Sequence, residues 1–175
     1  TLKFWNMIDE KRARLSDLYR QFGVEARKIV MIEYAANEVM LSRIRSDEIK
    51  AVSEWKGRRV NWDWEQLILN SKNQPRRIDL AIWGAGELCG LVLGRVTSGR
   101  MYARIDRLEG APDDHSLRGM VGEIATRYLE VVAGIAGCRE AVIVNPAPDL
   151  IDFYGKLGYV SRVQLGDRTW GLKRP

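Results

Sequence analysis

The chain has 175 residues, of which 46% are hydrophobic and 29% charged; a chain of this size buries about 70% of its unfolded surface, and the mixture is not that of a disordered protein. Cys89 and Cys138 are the only cysteines, too few for a disulfide framework or a cysteine-built metal site, and no stretch approaches the ~20 apolar residues of a membrane span. The net charge of +5 attracts polyanions, and a phosphate-bearing cofactor is served by it as well as a nucleic acid.

Phe4 or Trp5, Ile8, Leu15, Leu18 or Tyr19, and Phe22 recur at helical spacing and stop at Gly23, which predicts an amphipathic N-terminal helix. Residues 29–32 form a short apolar run open to two readings, a strand or the start of a helix. Val39, Met40, Ile44, Ile49 and Val52 follow at helical spacing. After a break at Lys56-Gly57-Arg58-Arg59, Asn61 is expected to cap a helix whose Trp64, Leu67 and Ile68 face inward, ending near Asn73.

From Arg76 the texture changes to strands. Residues 78–83, 88–96 and 101–108 are apolar runs split by Gly84-Ala85-Gly86-Glu87 and Thr97-Ser98-Gly99-Arg100, short loops of the kind that join antiparallel hairpins. A long helix is then written by Leu117, Met120, Val121, Ile124, Tyr128 and Ile135, closing at Gly137. Residues 141–144 read as a strand buried on both faces, ended by Asn145-Pro146. A short one-sided helix from Pro148 carries Leu150, Ile151, Phe153, Tyr154 and Leu157 to its stop at Gly158, and two strands around Gly166-Asp167 complete the chain. A helix crossover of the length of 117–135 returns the chain to a parallel neighbour, so a mixed sheet is expected.

Asn145, Tyr154, Gly158 and Tyr159 resemble the Asn-x(n)-Tyr-x-x-x-Gly-Phe/Tyr pattern of the GNAT acyltransferase superfamily, and the order of elements is similar to that fold over roughly residues 29–175. The resemblance implies an α/β, mixed-sheet fold in a single GNAT-like domain spanning 1–175, with 1–28 as an extra N-terminal helical extension and 29–175 as the core. It implies direct acyl transfer from acetyl-CoA, or another acyl-CoA, to an amine. In the family the fourth and fifth strands, by position 101–110 and 141–145 here, splay apart around the pantetheine arm.

The family's pyrophosphate loop, Arg/Gln-x-x-Gly-x-Gly/Ala, offers backbone N–H groups and a positive dipole end to phosphate at a helix N-terminus. Arg118-Gly119-Met120-Val121-Gly122 holds the same residue types at a different spacing. The resemblance makes Arg118, Gly119 and Gly122 cofactor contacts if the long helix starts after them. If it starts as early as Asp113, they lie within it, and the glycines serve only close packing. His115, the single histidine, touches a phosphate, caps a turn, or is simply exposed.

Acyl transfer to an amine needs a free-base nucleophile, stabilisation of the tetrahedral oxyanion and a proton for the departing thiolate. The resemblance gives the last role to Tyr154, whose phenol, with a reference pKa of ~10, faces a thiol of ~8.5. It places backbone N–H groups of Leu108 to Gly110 at the oxyanion and makes Leu108, Gly110 and Asn145 cofactor contacts, although Asn145 also suits a strand end. Glu109 is the expected base, with Asp106, Glu33 or a water chain as alternatives.

The acceptor is not legible. The segment 35–73 interleaves Trp55, Trp62 and Trp64 with Arg43, Arg45, Lys50, Lys56, Arg58 and Arg59, a composition that keeps a second reading open, a non-catalytic module binding a partner or nucleic acid. A polyamine-like cation would call for an acidic cleft that the sequence does not advertise. Without an apolar leader run at the start, a cytoplasmic location is expected, as a monomer or homodimer.

Overall fold

The computed structural model describes residues 1–174. Its first helix, α1 (Leu2–Glu33), runs through Gly23 and past residue 28 instead of stopping there. Glycine inside a helix costs about 1 kcal/mol, but Tyr19, Ala26 and Val30 are buried in the core on either side of it, and that packing outweighs the local preference. The run 29–32 is therefore helix.

The structure also corrects the stretch that follows. Val39 to Ser42 form a strand, β1 (Val39–Ser42), and only Ser46–Ser53 is helical, as α2. The strand exists because β2 (Arg77–Gly84) offers it an antiparallel edge, with Val39 opposite Gly84 and Ser42 opposite Ala81. A pairing partner so distant in the chain leaves no trace in local periodicity. The next helix, α3 (Trp64–Ser71), is capped by Asp63, whose Oδ1 accepts the Gln66 N–H at 3.0 Å, rather than by Asn61.

β2, β3 (Glu87–Val96) and β4 (Tyr102–Gly110) form the expected antiparallel meander. The long helix α4 (Val121–Ala136) ends on Gly137, whose φ of 73° closes it in the left-handed conformation. It leads into β5 (Glu140–Val144), which pairs with β4 in parallel. A turn of 3-10 helix and α5 (Ile151–Lys156) then reach β6 (Ser161–Gly166) and β7 (Thr169–Lys173). The sheet order is β1-β2-β3-β4-β5-β7-β6, with β4 and β5 its parallel neighbours.

Two apolar layers cover this sheet. One face packs α1, α4 and α5 around Val30, Ile82, Val92, Ile105, Leu129 and Tyr154. The other packs α2 and α3 around Trp64, Leu88, Leu91 and Leu93. No helix among the described residues is long and apolar enough to cross a membrane.

Candidate active site

β4 and β5 part company. Their parallel pairing runs from Tyr102 opposite Glu140 to Ile105 opposite Ile143, and β4 continues to Gly110 without β5 beside it. A bulge lies at the point of divergence: Leu93 faces Arg107 while Gly94 faces Ile105, so Asp106 is the extra residue. Beyond it, the Ala111 N–H donates to Cys89 O at 2.8 Å. Hydrogen-bonded and non-bonded pairs alternate along an antiparallel ladder, so Glu109 and Arg107 turn their backbone groups toward β3. Leu108 and Gly110 turn theirs into the opening.

α4 starts at Val121, so Arg118 and Gly119 lie outside the helix and Gly122 falls in its first turn. Gly119 has φ 80° with open space where a side chain would be, a conformation natural to glycine. Leu117 N donates to His115 Nδ1 at 3.2 Å, Met120 N to Leu117 O at 2.9 Å and Ile124 N to Met120 O at 2.9 Å. The N–H groups of Gly119, Val121, Gly122 and Glu123 take no acceptor among the described residues, the unpaired set a helix N-terminus leaves for an anion. His115 thus acts as a turn cap. Arg118 is exposed beside Asp114 at 3.5 Å. Gly122 has a packing reason of its own, because a Cβ there would stand 2.5 Å from the Phe153 ring of α5.

Tyr154, next to Phe153 on α5, belongs to the core on the α4 side and is 3% exposed. Burial pushes its phenol up to about 12, so it holds its proton throughout the neutral range. Its hydroxyl takes no protein partner among the described residues. Asn145, at φ 42°, accepts the Trp170 N–H on Oδ1 at 3.1 Å and ties the end of β5 to β7.

The three carboxylates expected as bases are all engaged by arginine. Glu109 faces the other side of the sheet, opposite Leu91, and is gripped by Arg58 from the loop between α2 and α3: Nε donates to Oε2 at 3.0 Å and Nη2 to Oε1 at 2.7 Å. Asp106 takes Arg104 at 2.5 Å. Glu33 takes Arg127 of α4 at 2.6 and 2.7 Å, and those hydrogen bonds hold its carboxyl below the usual range. Local spacing carries no sign of the Arg58 contact, which bridges 51 positions.

The Trp-rich segment is drawn inward rather than displayed. Trp64 is 1% exposed, Trp62 stacks edge-on against it with ring centroids 6.1 Å apart, and Arg107 lies over Trp62 at 5.4 Å. Arg43 is spent on Asp79 at 3.5 Å.

No family model and no curated protein sequence matches the chain. Solved structures do. An acetyltransferase from Thermus thermophilus is similar at 19% identity and TM-score 0.58, covering 78% of this chain and 96% of its own. The ribosomal-protein-S18-alanine N-acetyltransferase of Escherichia coli is similar at 14% identity and TM-score 0.51, over 77% of this chain and 90% of its own. A variant of the spermidine N-acetyltransferase SpeG from Vibrio cholerae aligns at 15% identity and TM-score 0.55, over 77% and 91%. The chain therefore has the GNAT fold, with α1 as the added N-terminal helix.

Proposed function

We propose that the protein is an N-acetyltransferase moving an acetyl group directly from acetyl-CoA to an amine. The observation that supports this best is the opening between β4 and β5 beyond Ile105 and Ile143, with the free backbone groups of Leu108 and Gly110 along one side. The unpaired N–H groups at the head of α4 fit the pyrophosphate, with Gly119 letting the backbone approach and Arg118 adding charge. Leu108, Gly110 and the free amide nitrogen of Asn145 would hold the pantetheine arm. Acetyl-CoA, when bound, supplies an acyl group already activated as a thioester.

The chain's own residues divide the work by face. Tyr154 belongs to the core on the α4 side and Glu109 pairs with Arg58 on the α3 side, and on this reading the opening between the strands joins the two. The N–H of Leu108 or Gly110 would take developing negative charge on the acyl oxygen. Tyr154 holds a proton at Oη. With its phenol near 12 and a thiol near 8.5, full transfer in the ground state is uphill by roughly 5 kcal/mol, so Tyr154 donates a hydrogen bond to the departing sulfur and completes transfer only as the amine releases its own proton. Glu109 has each oxygen occupied by an Arg58 N–H, but a second lone pair on each remains for water. Its part in deprotonation runs through that water.

Titration of the protein with acetyl-CoA tests the reading. At one hundred times Kd the ligand stabilises the fold by about 2.7 kcal/mol, seen as a rise in Tm, and Tyr154→Phe leaves that rise in place while lowering turnover. No rise with acetyl-CoA or CoA would sink it.

A further inference from the structure

On the α3 side, a groove of about 360 Å³ opens between α3, β3, β4 and the end of β5, at the lower end of the range for small-molecule sites. Asp106 and Val144 line it, and these are the residues that directly follow the last paired positions of β4 and β5. The groove therefore meets the opening at its apex, on the face from which an acceptor would approach. Its charged lining is Arg95, Arg104, Arg107 and Asp106. Arg104 and Asp106 neutralise each other at 2.5 Å. Arg95 and Arg107 are exposed and take no carboxylate among the described residues. Arg107 is held rather than loose, its guanidinium over the Trp62 ring at 5.4 Å and its Nη1 donating to Asp106 O at 2.9 Å. Glu109, the buried acid beside this face, is cancelled by Arg58 at 2.7 Å.

The groove thus carries two uncompensated positive charges and no free acid. We infer that the acceptor is a small primary amine bearing an oxyanion, carboxylate or phosphate, a few bonds from its nitrogen; this rests on the acetyl-transfer reading above. Arg95 and Arg107 pair with the oxyanion, and a concave positive site repels an amine that brings further positive charge. The same pairing assists the chemistry. An ammonium is stabilised by an anion in its own molecule, and once two guanidiniums take up that anion the nitrogen gives up its proton more readily. The site then needs less of a dedicated base, in keeping with Glu109 being occupied.

The test compares phosphoethanolamine, β-alanine, ethanolamine and cadaverine as acceptors, following thiol release from acetyl-CoA, with an acetyl-CoA binding titration run beside it. At low salt, kcat/KM for at least one anionic amine exceeds that for cadaverine by about tenfold or more, and the advantage shrinks as salt is raised. The ratio of phosphoethanolamine to β-alanine tells phosphate from carboxylate. In the double variant Arg95→Glu plus Arg107→Glu, both surface positions, the order reverses while acetyl-CoA binding stays. If acetyl-CoA binds and cadaverine matches or exceeds the anionic amines, or none of the four is acetylated, this inference fails alone. If acetyl-CoA does not bind, the transfer reading fails and takes this one with it.

Discussion

The Arg58 guanidinium clasps the Glu109 carboxylate through two parallel hydrogen bonds, at 3.0 and 2.7 Å, with side chains only 17% and 4% exposed. A third bond from Arg58 Nη2 to Trp62 O at 2.9 Å fastens the loop between α2 and α3 to the same point. Removing one partner of such a pair strands a buried charge, at a cost of about 3–5 kcal/mol. We therefore expect Arg58→Ala to lose about 3 kcal/mol in urea denaturation, and Arg58→Met with Glu109→Leu to regain most of it. A loss below about 1 kcal/mol in the single variant, the level of an exposed pair, would mean that the clasp is not buried in solution.

Tyr154→Phe removes only a hydroxyl without a protein partner, so the fold is expected to be retained. Turnover should fall by about 10²-fold, the usual contribution of a positioned acid, with KM for acetyl-CoA little changed. Because the phenol sits near 12, its acid form persists, and kcat should show no Tyr154-dependent decline below about pH 11. A decline centred near pH 10 in the wild type, absent in the variant, would contradict the buried environment.

Buried tyrosines also set the alkaline limit of stability. Burial raises Tyr128 and Tyr154 to about 12, and raises Tyr159, whose hydroxyl donates to Glu130 at 3.0 Å. In the unfolded chain these phenols titrate near ~10. Between about pH 10 and 12 the unfolded state has lost protons that the native state keeps, so the stability these phenols supply, complete below pH 10, falls as pH rises. Burial also raises the Cys89 and Cys138 thiols, which titrate near ~8.5 when unfolded, so the urea midpoint should decline gently from about pH 8.5 and more steeply beyond 10. Tyr128→Phe should flatten that drop, which circular dichroism at stepped pH can follow.

Gly122→Ala places a methyl where the Phe153 ring now lies, 2.5 Å away. Overpacking of this kind costs about 1–3 kcal/mol, and the half-buried ring must turn aside or shift with α5, disturbing the Tyr154 ring packed edge-on against it. Reduced stability and weaker acetyl-CoA binding are expected together. Phe153→Leu in the same chain should restore stability; if it does not, the contact is not the cause.

The parts of the fold legible in the sequence are those written by neighbours. Gly84-Ala85-Gly86-Glu87 and Thr97-Ser98-Gly99-Arg100 announce the meander, and the apolar run at 141–144 announces a central strand, because turn chemistry and burial on both faces are local signals. Val39 to Ser42 read locally as helix, since only the edge of β2 makes them a strand. Gly23 reads as a stop, since only the core beneath α1 carries the helix past it. At the candidate site, the phenol at Tyr154 and the glycines near the head of α4 stand out by residue type. The Arg58 clasp does not, for nothing near either residue points to the other, and the same holds for Arg107 over Trp62.

The brevity of the seam between β4 and β5 has a mechanical consequence. Four residue pairs, Tyr102 with Glu140 through Ile105 with Ile143, with two further backbone bonds at the foot, Arg139 N to Arg100 O and Glu140 N to Met101 O, make up the strand seam between a four-stranded leaf and a three-stranded one, so the sheet is built as a book whose spine is short, backed by α4. Guests that pry the covers need bend little backbone, and amide exchange should be quickest along the free margin of the larger leaf.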